Sequence, residues 1–206
     1  MKIGIIIPSD CPDEKLVKLV QELVQRKETM VVVVDDGCGE DIVYTRIFQM
    51  LEETGACVLH HRHKLGRGMA IKTGMRYAMK QGGQLAGIVT TDEDGWYGAE
   101  AVFRVCEQLA ENADSIILGT RNLKRKEVPL AYRLKNHIAS LRFRLATGIT
   151  CEDVASKLRG IPQKYFDMAL STEGKGYQYE LTFLTEAAKT KAPLIFLPSC
   201  QAEEVS

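Results

Sequence analysis

Thr90-Thr91-Asp92-Glu93-Asp94-Gly95-Trp96-Tyr97 follows directly on the apolar run Leu85–Val89 and governs the interpretation of the whole chain. A short apolar run of this kind is typical of a strand buried on both faces of a parallel sheet. Asp92 and Asp94 would then lie at the carboxyl end of that strand, the edge where open α/β sheets bind their ligands. Paired carboxylates there suit a hard divalent cation that also holds a diphosphate. The simpler alternative is a polar turn with two solvated acids.

Strand-like and helix-like segments alternate on both sides of this stretch. The strands predicted from apolar runs are Ile3–Ile7, Met30–Val34, Cys57–His60, Leu85–Thr91 and Ser115–Leu118. The helices predicted between them run from Asp10 or Asp13 to about Arg26, from about Glu40 to Glu53, from Met69 to about Lys80, and over Ala99–Glu111. Further on, a helix is predicted over Tyr179–Lys189 and a strand over Leu194–Leu197. This βαβ spacing predicts an α/β fold with a mostly parallel central sheet flanked by helices.

Composition narrows the class of protein. The chain has 206 residues, 45% of them hydrophobic, and a formal net charge of zero, which predicts one globular domain and gives no reason to expect nucleic-acid binding. Its six cysteines are scattered without a Cys-x-x-Cys pair, which favours reduced thiols in a cytoplasmic protein. No apolar run approaches the roughly 18 residues that span a bilayer. The first run, Met1–Pro8, is too short for a signal peptide.

Other polar loops are predicted at the same edge of the sheet. One follows Pro8 and one lies at Asp35-Asp36-Gly37; separately, Gly66-Arg67-Gly68 precedes a predicted helix. An acid at this edge can bind a ribose or a base, although Asp36-Gly37 is also a good turn dipeptide. The backbone N–H groups of a Gly-Arg-Gly loop before a helix can hold phosphate, although a tight turn is the alternative. His60 and His61 are neighbours on a strand end and would face opposite sides, so a shared metal site is not expected.

A basic segment opens the second half of the chain. Arg121–Arg144 holds eight Lys and Arg residues against one acid, Glu127. Apolar residues recur at helical spacing within it, at Leu134, Ile138, Leu141 and Leu145, and Gly148 follows as a stop. This pattern predicts an amphipathic helix with a basic face. Such a basic helix face is either solvated or suited to phosphate groups. It would also suit peripheral contact with the anionic inner surface of a membrane.

Nine short pieces occur in a fixed order between Ile5 and about Pro198. They are Ile5-Ile6-Ile7-Pro8; Val33-Val34-Asp35-Asp36-Gly37; Leu65–Ala70 with Gly74; Thr91-Asp92-Glu93-Asp94; Ile117–Arg121; Arg133 with Asn136; Asp153 with Ser156, Leu158 and Arg159; Gly176-Tyr177 with Glu180; and Leu197-Pro198. In this order and spacing they resemble the family-2 glycosyltransferases, in particular the dolichol-phosphate-mannose synthase-like and polyprenyl-phosphate glycosyltransferase branch.

The resemblance implies a GT-A fold, a GDP- or UDP-sugar donor, Mg²⁺ or Mn²⁺, inversion at the anomeric carbon, and an acceptor such as a polyprenyl phosphate. It implies a single GT-A-type domain over 1–206, with a nucleotide-binding half over 1–119 and an acceptor half over 120–198. The donor-side residues would be Pro8, Asp10, Asp35, Asp36, Gly66, Arg67 and Asp92. The metal ligands would be Asp92 and Asp94, the catalytic residues Asp153, Arg121 and Arg133, and the acceptor-side residues Ser156 and Arg159.

Glycosyl transfer makes chemical sense of this set, because a divalent cation neutralises the charge that develops on a departing nucleoside diphosphate. Two other interpretations remain open. The loop Ser9–Glu14 replaces the usual Tyr-Asn-Glu and Trp96 replaces a common Gln, which would fit a non-catalytic nucleotide-sugar-binding relative. Asp92–Gly95 also looks like the Asp-x-Asp-Gly of haloacid dehalogenase phosphatases, but there the motif ends the first strand of the core, and here three βα units precede it.

Overall fold

A seven-stranded sheet runs through the computed structural model, which describes residues 2–39, 41–81, 83–123 and 128–198. The strands are β1 (Lys2–Ser9), β2 (Thr29–Asp35), β3 (Cys57–His60), β4 (Leu85–Thr90), β5 (Ile116–Gly119), β6 (Arg159–Pro162) and β7 (Leu194–Leu197). Their order across the sheet is β3-β2-β1-β4-β6-β5-β7. All neighbours are parallel except β6, which runs antiparallel to β4 and β5. The predicted mostly parallel sheet is therefore confirmed.

Helices cover both faces of this sheet. They are α1 (Glu14–Leu23), α2 (Ile42–Glu53), α3 (Arg67–Gln81), α4 (Ala99–Glu111), α5 (Leu130–Thr147), α6 (Phe166–Ser171) and α7 (Gln178–Lys189), with a 3₁₀ turn at Gln163–Tyr165. One core cluster joins β1 to α1, α2 and α4 through residues such as Ile5 and Ile7. A second joins the opposite face, including Ile6, to α3, α6 and α7, and a third includes Leu118 and Phe143. Alternate residues of β1 thus face opposite cores, as expected for a central strand.

Helix ends follow local side-chain chemistry. Asp13 is the residue that caps α1, because its side chain accepts a hydrogen bond from the Lys15 backbone N–H at 2.8 Å. Asp41 caps α2 in the same way, and the predicted start of α2 at Glu40 lies outside the described residues. Gly148 ends α5 in the left-handed conformation, with φ at 75°.

The sequence pattern missed strand β6 and placed two boundaries incorrectly. Strand β6 holds Gly160 and Pro162 in four residues and has no strand-like period. Its pairing with β4 depends on Gly87, where an added Cβ would lie 2.7 Å from the Ile161 carbonyl oxygen. Helix α1 ends at Leu23 rather than Arg26, while β1 continues through Pro8 to Ser9 because β2 pairs with it to that point.

The apolar row of α5 does not pack into the core. Leu134 and Leu145 are 60% and 77% exposed, whereas Phe143 and Asn136 anchor the other side of the helix. The basic residues Lys124, Arg125 and Lys126, together with Cys200, lie outside the described residues. The five described cysteines are free thiols, as predicted. Within the described part of the chain, no helix combines the length and apolarity needed to cross a membrane.

Candidate active site

The loops that follow β1 and β4 meet at the carboxyl edge of the sheet. Glu93, the middle residue of Asp92-Glu93-Asp94, accepts hydrogen bonds from the Ser9 hydroxyl and from the Asp10 backbone N–H, the latter at 3.0 Å. The two loops expected to converge are therefore tied together by one carboxylate. Sequence reasoning did not single out Glu93, because the central position of such a motif carries no expected role.

Asp92 is a buried carboxylate held between two cations. Its Oδ1 accepts from the Arg67 Nη1 at 2.9 Å and from the Glu93 backbone N–H at 3.1 Å, and its Oδ2 contacts the Lys157 Nζ. Burial alone would raise the pKa of Asp92, but the charges of Arg67 and Lys157 outweigh it and lower the pKa below its usual range. Asp92 therefore remains ionised.

Asp94 is less enclosed, with 40% of its side chain exposed. Its Oδ1 accepts from the Trp96 backbone N–H at 3.0 Å, and its Oδ2 lies 3.8 Å from the Lys157 Nζ. Burial, and next the neighbouring charge of Asp92, raise the pKa of Asp94 to about 6. Lys157 was not predicted at this site, and Ser156 and Arg159 near it in the sequence were predicted on the acceptor side.

These two aspartates fit a hard divalent cation, because both Oδ2 atoms already turn toward a common positive charge, the Lys157 ammonium. In the part of the chain that the structure describes, no group of three or more His, Cys, Asp or Glu residues could hold a metal ion. The protein thus offers two carboxylates, and a donor diphosphate and water would have to provide the other ligands. His60 and His61 pair separately with Asp35 and Asp36.

Asp35 and Asp36 organise the turn after β2. Asp36 accepts from His61, from the Leu65 backbone N–H at 3.0 Å and from the Gly66 backbone N–H at 2.8 Å, so both of its oxygens are engaged within the protein. The expected contact of Asp36 with a donor stays a prediction. Asp35 accepts from the Gly37 and Cys38 backbone N–H groups and from His60, whose side chain is 52% exposed.

Burial tends to raise the pKa of Asp35, but the hydrogen bonds from Cys38 and His60 lower it overall. The Asp35–His60 pair therefore presents an ionised carboxylate at the edge of the sheet, next to an exposed imidazole. Pro8 is a buried part of β1, and Asp10 beyond it is bound by the Lys64 ammonium.

The Gly66-Arg67-Gly68 loop packs against protein rather than opening toward a phosphate. The Gly68 and Met69 backbone N–H groups donate to the Lys175 carbonyl oxygen at 2.7 and 3.3 Å. Gly66 has φ at +96°, and an added Cβ would lie 2.5 Å from the same oxygen. The Gly68 and Met69 donors are thus used by the loop before α7, and the Gly66 N–H donates to Asp36, while the phosphate contact at Gly66 stays a prediction.

Arg67 is also buried, and its expected contact with a diphosphate stays a prediction. Its Nε donates to Glu180 at 3.2 Å, and its Nη2 donates to the Thr91 carbonyl oxygen at 3.1 Å. Burial alone would lower the pKa of Arg67, but the charges of Glu180 and Asp92 hold it well above its usual range. Arg67 therefore positions Asp92 by fixing its Oδ1.

Replacing Gly66 with Ala should lower the free energy of unfolding by more than about 2 kcal/mol, because left-handed strain of about 1 kcal/mol adds to a backbone clash. Chemical denaturation of both proteins measures the difference. Gly39→Ala is the matched control, since Gly39 has φ at +81° but an added Cβ would meet nothing within 4 Å. Equal losses for the two variants would contradict the packing described at Gly66.

The acceptor side is built around a buried ion pair. Asp153 is 0% exposed and accepts from Arg121 three times, from its backbone N–H at 3.0 Å, its Nε at 2.8 Å and its Nη2 at 2.9 Å. The Arg121 guanidinium also contacts the Tyr132 hydroxyl and lies 5.2 Å from the ring centre of Trp96. Asp153 is thus not presented as a free base in this conformation, and Trp96 forms part of the wall that holds Arg121.

Ser156 and Arg159 are buried as well. Ser156 donates to the Gly119 carbonyl oxygen and lies 2.9 Å from the Tyr97 hydroxyl. Within the described residues, Arg159 donates to the carbonyl oxygens of Ser156 and Val154 at 2.9 Å and to that of Glu180. Both side chains support the 153–157 loop from inside, and their expected contacts with an acceptor stay predictions.

A cavity of about 970 Å³ adjoins Arg121 on the side of α5. Its lining combines three arginines with leucines of the exposed row: Arg121, Arg133, Arg144, Leu130, Leu134 and Leu141. Arg133 lines this cavity as well as donating from its Nε to the Val128 carbonyl oxygen at 3.1 Å. The site thus has an acidic edge at β4 and a cationic, partly apolar cavity, and the Arg121–Trp96 contact links them.

Solved structures share this fold over the whole chain and identify it as GT-A. Glucosyl-3-phosphoglycerate synthase from Mycobacterium tuberculosis, in complex with Mn²⁺, uridine diphosphate and glucosyl-3-phosphoglycerate, matches with a TM-score of 0.71 at 13% identity, covering 100% of this chain and 72% of that one. A mannosyltransferase from Pyrobaculum calidifontis, in complex with GDP-Man and Mn²⁺, matches with a TM-score of 0.66 at 14% identity, covering 100% and 57%.

The chain belongs to glycosyl transferase family 2, whose model matches residues 5–169. It is similar to the undecaprenyl-phosphate mannosyltransferase of Micrococcus luteus, at 26% identity over 77% of this chain and 66% of the relative. It is also similar to the UDP-N-acetylglucosamine–dolichyl-phosphate N-acetylglucosaminyltransferase of Methanococcus voltae, at 25% identity over 86% and 76%. The chain thus spans about two thirds of the first relative. The matched residues include Asp92–Gly95, so membership of this family replaces the haloacid dehalogenase interpretation of that motif.

Proposed function

We propose that this protein is an inverting, metal-dependent glycosyltransferase that moves a sugar from a GDP- or UDP-sugar to a polyprenyl phosphate. The observation that carries the proposal is the pair of carboxylates at the carboxyl edge of β4, Asp92 and Asp94, with both Oδ2 atoms turned toward one cation. The names of both curated relatives, which include undecaprenyl phosphate and dolichyl phosphate, support the acceptor class.

The donor would bind to the half formed by residues 1–119. Asp92 and Asp94 would hold Mg²⁺ or Mn²⁺, which neutralises charge on the departing nucleoside diphosphate. Arg67 and Glu93 hold these carboxylates in place, because each fixes part of the loop that carries them. Asp35, ionised at the end of β2, would accept hydrogen bonds from the ribose or base, and Asp10 lies on the loop after β1.

The acceptor would bind to the half formed by residues 120–198. Arg121, Arg133 and Arg144 line a cavity that also exposes leucines, which suits a phosphate attached to an isoprenoid chain. A phosphate acceptor is already ionised near neutral pH, so its attack does not require a strong base. Asp153 would then serve the reaction by holding Arg121 in position, which agrees with its engagement by three donors of that residue.

Adding a GDP- or UDP-sugar together with Mn²⁺ should raise the melting temperature, because a ligand that binds only the folded state stabilises it. At about 100 times its dissociation constant, the matching donor should add about 2.7 kcal/mol, or roughly 5 to 10 °C for a chain of this size. A thermal-shift screen of nucleotide sugars with and without Mn²⁺ measures this. If no nucleotide sugar shifts the transition with the metal present, the proposed function is wrong.

A non-catalytic nucleotide-sugar-binding protein is the second candidate. The Lys64 ammonium occupies Asp10, and the Gly66 loop donors are used within the protein, so fewer groups remain free to contact a donor. Such a protein would show the thermal shift but neither hydrolyse the donor nor transfer its sugar to polyprenyl phosphate. Mass spectrometry of the reaction products distinguishes the two functions.

The exposed row of α5 suggests peripheral contact with an anionic membrane. Leu130, Leu134, Ile138, Leu141 and Leu145 extend over about 22 Å of one helix, with Arg133 and Arg144 beside them. Binding to vesicles that contain anionic lipid should be salt-sensitive, and Leu134→Ser with Leu145→Ser should weaken it about tenfold or more. Vesicle flotation at low and high salt measures this association.

Ile42→Ser is the matched control for the flotation experiment, because Ile42 is another exposed apolar residue, at the start of α2. Both variants replace side chains outside the core, so neither should unfold the protein. Equal flotation of the double variant and the control would show that the apolar row of α5 does not contact the membrane.

A further inference from the structure

Lys157 is fixed beside the two aspartates by its own backbone. Its N–H donates to the Tyr97 hydroxyl at 3.2 Å, and its carbonyl oxygen accepts from the Thr90 hydroxyl at 3.0 Å. Thr90 is the last residue of β4, so this pinning places Lys157 next to the loop that carries Asp92 and Asp94. Only 20% of the side chain is exposed.

The Lys157 ammonium takes up the two carboxylate oxygens that a divalent cation would need. The Oδ1 of Asp92 is already bound by Arg67, and the Oδ1 of Asp94 is bound by the Trp96 backbone N–H. The two Oδ2 atoms remain, and both face the Lys157 Nζ. The Tyr177 ring, with its centre 5.3 Å from that nitrogen, covers it from another side.

We propose that Lys157 is a resident cation that occupies the divalent-ion position between Asp92 and Asp94 and must leave it before the ion can bind. A divalent ion on the same two oxygens would lie in contact with the ammonium, and repulsion between like charges at that distance prevents both from staying. With Lys157 in place, Asp92 contacts two positive charges, those of Lys157 and Arg67, and Asp94 faces the first of them. The inference rests on the proposed function only in taking this site as the metal site.

The consequence is that Lys157 weakens metal binding when no nucleotide sugar is bound to the protein. Lys157→Met removes the competing charge and keeps an unbranched side chain of similar length. Mn²⁺ should therefore bind the variant about tenfold or more tightly than the wild type, the amount expected when a partly buried ion pair no longer has to be broken. A simple loop-stabilising lysine would leave the affinity unchanged.

Titration with Mn²⁺ in the absence of nucleotide, followed by the electron paramagnetic resonance signal of the free ion, measures this affinity. Lys164→Met is the matched control, because Lys164 pairs with another aspartate, Asp114, at an N–O distance of 2.5 Å, and this pair lies away from the site. The control variant should bind Mn²⁺ like the wild type. Circular dichroism checks that each variant is folded. Equal binding by Lys157→Met and the wild type, weaker binding by the variant, or no binding by either overturns the proposal.

Release of the ammonium has its own measurement. Amine-reactive labelling of the wild type, read by mass spectrometry, should increase at Lys157 when Mn²⁺ is added, while Lys164 stays unchanged. Constant labelling of Lys157 at saturating Mn²⁺ would overturn displacement even if the variant bound the ion more tightly. Neither measurement contains a sugar donor or an acceptor, so a failure of the proposed function would leave both results interpretable, and a failure here would leave sugar transfer untouched.

Discussion

Asp94→Asn should abolish metal-dependent use of the donor while leaving the fold almost unchanged. The variant loses a charged oxygen facing the cation position, and a metal ion supplies several kcal/mol of transition-state stabilisation, so turnover should fall by about a hundredfold or more. The free energy of unfolding should change by no more than about 1 kcal/mol, because Asp94 is 40% exposed and its ion pair with Lys157 is long, at 3.8 Å. Donor hydrolysis with Mn²⁺ and chemical denaturation measure the two quantities.

Asp92→Asn is the informative comparison, because the same loss of activity should come with a loss of stability. Asp92 is buried and compensates Arg67 and Lys157, so its neutralisation leaves buried positive charge and should cost about 3 to 5 kcal/mol. Turnover by Asp94→Asn at the wild-type rate would remove Asp94 from the metal site. Asp92→Asn with wild-type stability would contradict the buried network around it.

The central half of the sheet could be predicted because its signals are local. An uninterrupted apolar run that stops at a polar turn identifies both the buried strand and its ligand-binding end, which placed Asp92 and Asp94 correctly at the edge of β4. Lys157 could not be found in that way. It lies 65 positions further along the chain and reaches Asp92 because Thr90 pairs with Arg159 in the antiparallel β4–β6 ladder. A strand of four residues with a glycine and a proline gave no sign of that ladder.

The direction in which a side chain points was the other feature that could not be predicted from residue type. Arg67, Ser156 and Arg159 occupy motif positions suited to phosphate or acceptor contacts, yet each turns inward to satisfy carboxylates or carbonyl oxygens. A buried arginine must meet acceptors on several sides, and loops from distant parts of the chain provide them here. The predicted chemistry of the acceptor side now depends chiefly on Arg121 and Arg133, which line the cavity.

Asp153→Ala should destabilise the protein by about 3 to 5 kcal/mol, because it leaves the buried Arg121 guanidinium without its carboxylate. For a chain of this size, that corresponds to a drop in melting temperature of roughly 6 to 20 °C. Calorimetry and chemical denaturation of the variant measure the change. A solvent-accessible general base would behave differently, since its removal would reduce turnover with little effect on the free energy of unfolding.

The double variant Arg121→Met with Asp153→Leu distinguishes loss of the whole ion pair from loss of one partner. Removing both partners leaves no uncompensated charge, and Trp96 and Tyr132 already give the Arg121 side chain aromatic surroundings, so the double variant should be more stable than Asp153→Ala. Both variants should lose sugar transfer to a polyprenyl phosphate, because Arg121 is displaced in one and absent in the other. A double variant less stable than Asp153→Ala, or one that still transfers sugar at the wild-type rate, would show that the ion pair does not hold an acceptor-binding arginine in place.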